Sequence, residues 1–237
     1  SSTFLISDNY YEPFLEGFSG ALLANFLWTD LISDISTKNT IKKLQDNSNV
    51  TVLASPFARG YLKNFQNNYK VGIFGKQKDQ LPDKGYIFIC KGFGSWNSGF
   101  QDSVENFFCK NEELSDYKIY YDKNIETLNL PLSYSCEKYY GKFCDDFIGH
   151  ASCIIGRPSL GILTDSISLK VPFIPVFSSN DKESSYNAKI IKGLYKQNNN
   201  YCHTQISKLR ESINKELDIQ MNGEKDAINF ILKKINS

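Results

Sequence analysis

One short segment constrains the fold more than any other. Gly85-Tyr86-Ile87-Phe88-Ile89-Cys90 is an apolar run of strand length, set between a polar loop and a turn rich in glycine. A strand whose successive side chains are all apolar has no face to offer to water, so it belongs in a parallel sheet covered on both sides. Gly92, Gly94 and Gly99 punctuate the turn that follows, and Val104, Phe107 and Phe108 then give helical spacing over 101–108. The same alternation recurs along the chain. Strands are expected at 4–6, 50–54, 70–74, 117–121, 128–132, 152–155 and 171–177, with helices at 40–47, 142–149 and 160–170. The chain closes on two helical seams, one through Ile206, Leu209, Ile213 and Leu217 and one through Ala227, Ile228, Ile231, Leu232 and Ile235. Strands alternating with helices predict an α/β fold. The polar-aromatic connector 56–66 reads as a hinge. It divides a smaller α/β unit at 1–68 from a larger domain at 69–237.

Composition narrows the function. The 237 residues carry 27 basic and 26 acidic side chains, a net charge of +1. Without a basic excess there is no sequence-independent pull on a phosphate backbone, so nucleic acid is not an expected partner. No apolar run approaches the roughly 20 residues of a membrane-spanning helix, and no signal peptide opens the chain, so the cytoplasm is the expected compartment. The six cysteines are scattered and read as reduced and mostly buried. Cys144, His150 and Cys153 match no standard zinc spacing, and no metal site is expected.

Two constellations carry chemistry. The first is Lys91-Gly92-Phe93-Gly94-Ser95-Trp96-Asn97-Ser98-Gly99, between the best strand and a helix. Its backbone amides and the helix N-terminus can cradle a diphosphate, or it is an ordinary strand-to-helix turn. The second is Gly156-Arg157-Pro158-Ser159-Leu160-Gly161, followed by Asp165 in the second helical turn and by the acidic loop Asp181-Lys182-Glu183 before Tyr186-Asn187-Ala188. Asp165 there is either a ligand or a helix-surface acid. Arg157 is either a phosphate ligand or structural, and Glu183 either meets a ligand or is simply solvated. Asp8, at the carboxyl end of the first strand, is either a catalytic base or ordinary Asp-Asn turn chemistry.

These segments resemble the C-terminal donor-binding domain of GT-B glycosyltransferases, especially glycosyltransferase family 28. The resemblance implies a Rossmann-like parallel sheet with helices on both faces, plus a partial, smaller N-terminal acceptor-side unit at Ile6-Ser7-Asp8-Asn9 and Ala24 to Asp30. It implies that Gly92, Gly94 and Ser95 hold the diphosphate, with Arg157, Ser159 and Gly161 in the second turn. In the family a Glu eight residues after the Arg bonds the ribose; here that position holds Asp165, one methylene shorter. The resemblance further implies Glu183 and Asn187 near the donor sugar and Tyr140 near the uracil. The implied activity is inverting, metal-independent transfer from a nucleotide-diphosphate sugar, a UDP-sugar, to an acceptor hydroxyl. The alternatives are a donor-binding subunit that needs a partner, and a sugar-nucleotide epimerase or hydrolase. No cofactor is implied, since the nucleotide sugar is a substrate. The acceptor stays unassigned, the missing acceptor-side strands would come from a preceding segment or a partner chain, and peripheral contact with a membrane stays open.

Overall fold

The computed structural model describes residues 4–24, 35–58, 62, 64–92, 99–178, 180–195, 206–210 and 221–236. The alternation read from the sequence becomes two parallel sheets, one in each of two compact units.

The first unit takes residues 1–76 and 219–237. Its sheet runs β1 (Phe4–Asp8), β2 (Ser19–Leu23), β3 (Val50–Ala54) and β4 (Asn68–Lys70), in that spatial order. The short helix α1 (Glu12–Leu15), with Pro13 in its first turn, joins β1 to β2, and α2 (Ile35–Gln45) precedes β3. Alternate strand residues point to opposite faces. Leu22, Val50, Val52 and Ala54 therefore share a core with Ile41 and Leu44 of α2, while Ala21 and Leu53 fill a second core on the other side.

The second unit takes residues 77–218. In chain order it holds β5 (Tyr86–Cys90), α3 (Phe100–Cys109), β6 (Lys118–Asp122), β7 (Cys136–Tyr139), α4 (Asp145–Gly149), β8 (Cys153–Gly156), α5 (Leu160–Ser168), β9 (Phe173–Pro175) and α6 (Lys182–Tyr195). The strands lie in the order β7-β6-β5-β8-β9 and all run parallel. Both faces of β5 are covered, as its sequence demands. Ile87 and Ile89 pack with Val104 and Phe108 of α3 and with Ile119 and Ile155 of the flanking strands. Tyr86 and Phe88 turn the other way, onto Phe147 of α4, at ring-centroid distances of 5.3 and 5.2 Å. Arg210, in the helical segment 206–210, is buried and donates to the carbonyls of Ala151, Leu81 and Gly149, tying that segment to the turns around α4.

Four expectations need correction. The strand expected at 128–132 is irregular chain, in which Leu128 and Leu130 lean on the core; the strand is β7, a largely polar edge. The strand expected at 70–74 is β4, ending at Lys70, and Val71 and Ile73 are buried outside any ladder. The last helix, α7 (Gly223–Ile235), belongs to the first unit, whose chain boundary lies at 76 rather than 68. Ala227 and Phe230 of α7 complete the core around Ala21 and Leu53. Its N-terminus is pinned by Gly223 N–H to the Ile73 carbonyl (3.1 Å) and by Gly72 N–H to Asp226 Oδ2 (3.0 Å). Finally, of the described cysteines, all free thiols, Cys90 and Cys153 are buried but Cys109, Cys136 and Cys144 are exposed, because they sit at a helix end, on the edge strand and at a helix start. Cys202 and the segments 25–30 and 211–220 lie outside the described residues, as do Ile213 and Leu217.

Candidate functional site

In the second unit, β5 is the first strand in chain order and sits in the middle of the sheet. The chain moves outward from it through β6 to β7, then returns to add β8 and β9 on its other side. The order reverses between β5 and β8, and open parallel sheets bind ligands beyond the carboxyl ends of their strands at such a reversal. Two segments leave the sheet there: the glycine turn after Cys90 and the Arg157-Pro158-Ser159 turn after Gly156.

The two turns start side by side, with Arg157 N–H donating to the Cys90 carbonyl at 3.2 Å. Gly92 has φ +72°, a conformation that side chains disfavour, and a Cβ there would stand 3.5 Å from Ser159 Oγ. Ser159 is the N-cap of α5, and its hydroxyl makes no capping bond to the first amides of the helix, which lie at the carboxyl edge of the sheet. Gly161 follows in the first turn, exposed with open space beside it. Gly94, Ser95 and Trp96 lie outside the described residues.

Asp165 is half-buried one turn further along α5. Burial raises its pKa, nearby Lys78 draws it down, and Asp145 pushes it up again. The Asp165 charge is felt by the Cys90 thiol, two residues before Gly92. That thiol is pushed up to about 12, by burial first and then by Asp122; the Gly92 amide opposes the shift and Asp165 adds to it. The acid on the helix and the start of the glycine turn thus lie within electrostatic reach of one another.

Arg157 sits differently from a free phosphate ligand. Its residue is only 7% exposed, and its guanidinium is engaged by two carboxylates: Nε donates to Asp181 Oδ2 at 2.7 Å and Nη2 to Glu183 Oε2 at 3.0 Å. Burial works against its charge, but the two acids outweigh it and raise its pKa. Asp181 in turn begins α6, accepting from Ser184 N–H at 2.9 Å and from Ser184 Oγ at 2.6 Å. Burial would raise the Asp181 pKa, and these bonds together with Arg157 lower it instead. Asn187 is 2% exposed and donates from Nδ2 to the Pro158 carbonyl at 2.8 Å, so it braces the turn from behind. The residues Arg157, Ser159, Glu183 and Asn187, expected to share a site, do come together around Pro158.

Tyr140 follows the edge strand β7 and is 76% exposed. Its neighbours are committed to packing, Tyr139 stacked on Phe147 at 3.7 Å and Phe143 against Phe88 at 5.3 Å. Asp8 ends β1 in the first unit, exposed, and accepts from Asn9 Nδ2 at 3.0 Å. Sequence reading passed over Asp122 and Asn124. Asp122 is fully buried at the carboxyl end of β6; its Oδ1 accepts from Asn124 N–H, while its Oδ2 and the buried Asn124 Nδ2 have no hydrogen-bond partner among the described residues. The available signal was an acid at the end of a strand next to the glycine turn.

No protein-family model and no curated protein matches the chain. Solved structures do. The chain is similar to a glycotransferase of kitacinnamycin at 12% identity and a TM-score of 0.57, covering 97% of this chain and 75% of that one. It is similar to MurG of Acinetobacter baumannii at 12% identity and a TM-score of 0.54, covering 92% and 68%. It is similar also to Phytolacca americana UGT2, solved with UDP-2fluoro-glucose and pterostilbene, at 13% identity and a TM-score of 0.50, covering 97% and 70%. At such identities the likeness concerns the backbone, and it agrees with the strand order described above. The chain has the GT-B fold of these glycosyltransferases, with one parallel-sheet Rossmann-like unit following another.

Proposed function

We propose that this protein transfers a sugar from a nucleotide-diphosphate donor, a UDP-sugar, to an acceptor hydroxyl. The observation that carries the reading is the closeness of the Gly92 and Ser159 turns at the sheet reversal, with a half-buried acid, Asp165, on the helix that the second turn opens. The amides of the Gly92-Gly94-Ser95 turn and the N-terminus of α5 at Ser159 and Gly161 bind the diphosphate. Asp165 accepts from the ribose hydroxyls, Tyr140 lies against the base, and Glu183 meets the sugar. Asn187 and Arg157 act behind these groups. A UDP donor is favoured because one structural neighbour was solved with UDP-2fluoro-glucose.

The reaction is inverting. The acceptor oxygen, losing its proton to a general base, attacks the anomeric carbon as the bond to the diphosphate oxygen breaks and UDP leaves. Charge developing on the leaving diphosphate is met by fixed amide dipoles and needs no metal ion or cofactor. Asp8, at the carboxyl end of β1, is the candidate base. The protein acts in the cytoplasm, and among the described residues no helix is long and apolar enough to cross a membrane.

The test is incubation of the intact chain with UDP-glucose, UDP-galactose and UDP-N-acetylglucosamine, with and without a pool of hydroxyl acceptors. Acceptor-dependent UDP release with a product of inverted anomeric configuration is expected. UDP and free sugar in equal amounts without an acceptor would make it a hydrolase, and an isomerised sugar nucleotide an epimerase. No turnover and no UDP binding would overturn the reading.

A further inference from the structure

The turn after β6 holds polar groups that the donor site does not use. Asp122 ends β6 alongside the end of β5 and is fully buried. Its carbonyl accepts from Ile125 N–H at 2.9 Å and its Oδ1 from Asn124 N–H at 2.9 Å, which closes the turn. Lys91, between β5 and Gly92, reaches the same turn and donates from Nζ to the Asn124 carbonyl at 3.3 Å. Its ammonium makes no ion pair among the described residues and keeps further N–H groups unspent. Asp122 Oδ2 and Asn124 Nδ2 are hidden, and neither has a hydrogen-bond partner among the described residues. Native proteins leave few buried polar atoms unpaired, because each loses its water without a return. Holding the turn does not require it: Oδ1 alone accepts the Asn124 amide, and an asparagine at 122 would accept it equally without burying a charge. The three side chains instead share a use. A carboxylate accepts, an amide NH₂ and an ammonium donate, and a hydroxyl does both. Neighbouring hydroxyls can therefore give a hydrogen bond to Oδ2 and take one from Nδ2 or Nζ. One carboxylate against one ammonium leaves the group without net charge, which suits a neutral ligand and not a phosphate. Asn124 and Lys91 are only partly buried as residues, so the group adjoins the surface.

We propose that Asp122, Asn124 and Lys91 form a carbohydrate subsite that grips neighbouring hydroxyls of a neutral sugar, and that this sugar is the acceptor. The subsite lies on the β6 side of β5, whereas the Ser159 turn lies on the β8 side, so the two flank one strand end at the carboxyl edge of the sheet. The acceptor role rests on the glycosyl-transfer reading and adds the acceptor class to it; the binding of a sugar there stands on the Asp122 turn alone.

The experiment is titration of the intact chain, with and without UDP, with the methyl glycosides of glucose, galactose, mannose and N-acetylglucosamine, followed by saturation-transfer NMR. Wild type, Asp122→Asn, Asn124→Ala and Lys91→Met are compared, and the UDP affinity and melting temperature of each are measured beside it. The wild type is expected to bind at least one glycoside. That affinity should fall about tenfold in Asp122→Asn and in Lys91→Met, the worth of one hydrogen bond to a charged group, and about fivefold in Asn124→Ala. UDP affinity should stay unchanged in all three, and Asp122→Asn should melt no lower than the wild type, since it removes a buried charge without breaking the turn. With UDP-glucose as donor, the KM for the bound glycoside should rise by the same factors. Asn124 and Lys91 are partly exposed, so their arms stand even where Asp122→Asn does not fold. A wild type that binds none of the glycosides, variants that bind them as well as the wild type, or an equal loss of UDP and glycoside affinity would overturn the proposal and leave the glycosyl-transfer reading in place. A wild type that binds no UDP would overturn that reading and the acceptor role with it, and the titration without UDP would still decide whether the Asp122 turn holds a sugar.

Discussion

Asn187 Nδ2 donates to the carbonyl of Pro158 across 29 residues of sequence, and neither group is open to water at that point. The bond fastens α6 to the turn that precedes α5, so the side chain that the resemblance implies near a sugar braces that turn. Asn187→Ala should leave the Pro158 carbonyl buried without a donor. The expected cost is about 2 kcal/mol of stability, read as a lower urea midpoint at unchanged slope.

Asp165 gives a prediction in which stability and binding move in opposite directions. Burial raises its folded pKa above the unfolded value, with Lys78 only partly opposing. The native state therefore holds this proton more tightly than the unfolded chain, and stability is lost as pH rises from the ordinary carboxylate range through the folded pKa. Asp165→Asn should be more stable than the wild type at neutral pH, and the difference should vanish at pH values below that range. The same variant should bind UDP about tenfold more weakly, since it replaces a charged acceptor at the ribose. Melting curves at several pH values, paired with a titration, check both halves.

Asp181 has the opposite sign. The Ser184 and Arg157 bonds outweigh burial and lower its folded pKa from 3.8, so its contribution is present above that value and is lost as pH falls through the folded pKa. Asp181→Asn should cost about 3 kcal/mol at neutral pH, the scale for removing one partner of a buried ion pair, and the gap from the wild type should narrow below pH 3.8. Thermal melts at neutral and acidic pH measure it.

What the sequence disclosed follows the physics of burial. β5 and β3 were legible because all or most of their residues are buried, which forces apolar side chains into consecutive positions. β7 was not, because Cys136-Glu137-Lys138-Tyr139 is an edge strand with polar residues facing water; the neighbouring Leu128 and Leu130 drew the expectation to a stretch that packs without pairing. Val71 misled for a related reason: it is buried against Ala227 and Phe230 of α7, one residue past the end of β4, while its N–H bonds the Ala54 carbonyl. The site divides likewise. The Gly92 and Ser159 turns are local patterns and could be read, whereas the Arg157 clamp joins residues 24 and 26 positions apart, and no spacing rule announces such a pairing.

Two glycines of the sheet reversal should respond differently to alanine. A Cβ on Gly156 would lie 2.1 Å from the Cys90 carbonyl oxygen, so Gly156→Ala must part β5 from β8 and should cost about 3 kcal/mol or more, or prevent folding. At Gly92 the nearest atom is an acceptable 3.5 Å away, and the cost is that of a side chain at φ +72°, about 1 kcal/mol. Comparing soluble yield and melting temperature of the two variants distinguishes a steric closure of the sheet from a backbone preference in the turn.

The central claim is that this sheet reversal holds the pyrophosphate and ribose of a sugar nucleotide, and the most direct measurement is calorimetric titration of UDP into the intact chain beside Asp165→Asn at neutral pH. Saturable one-to-one binding is expected, weakened about tenfold in the variant by loss of the charged ribose contact. Absence of any UDP binding, or equal affinity in the two proteins, would contradict it.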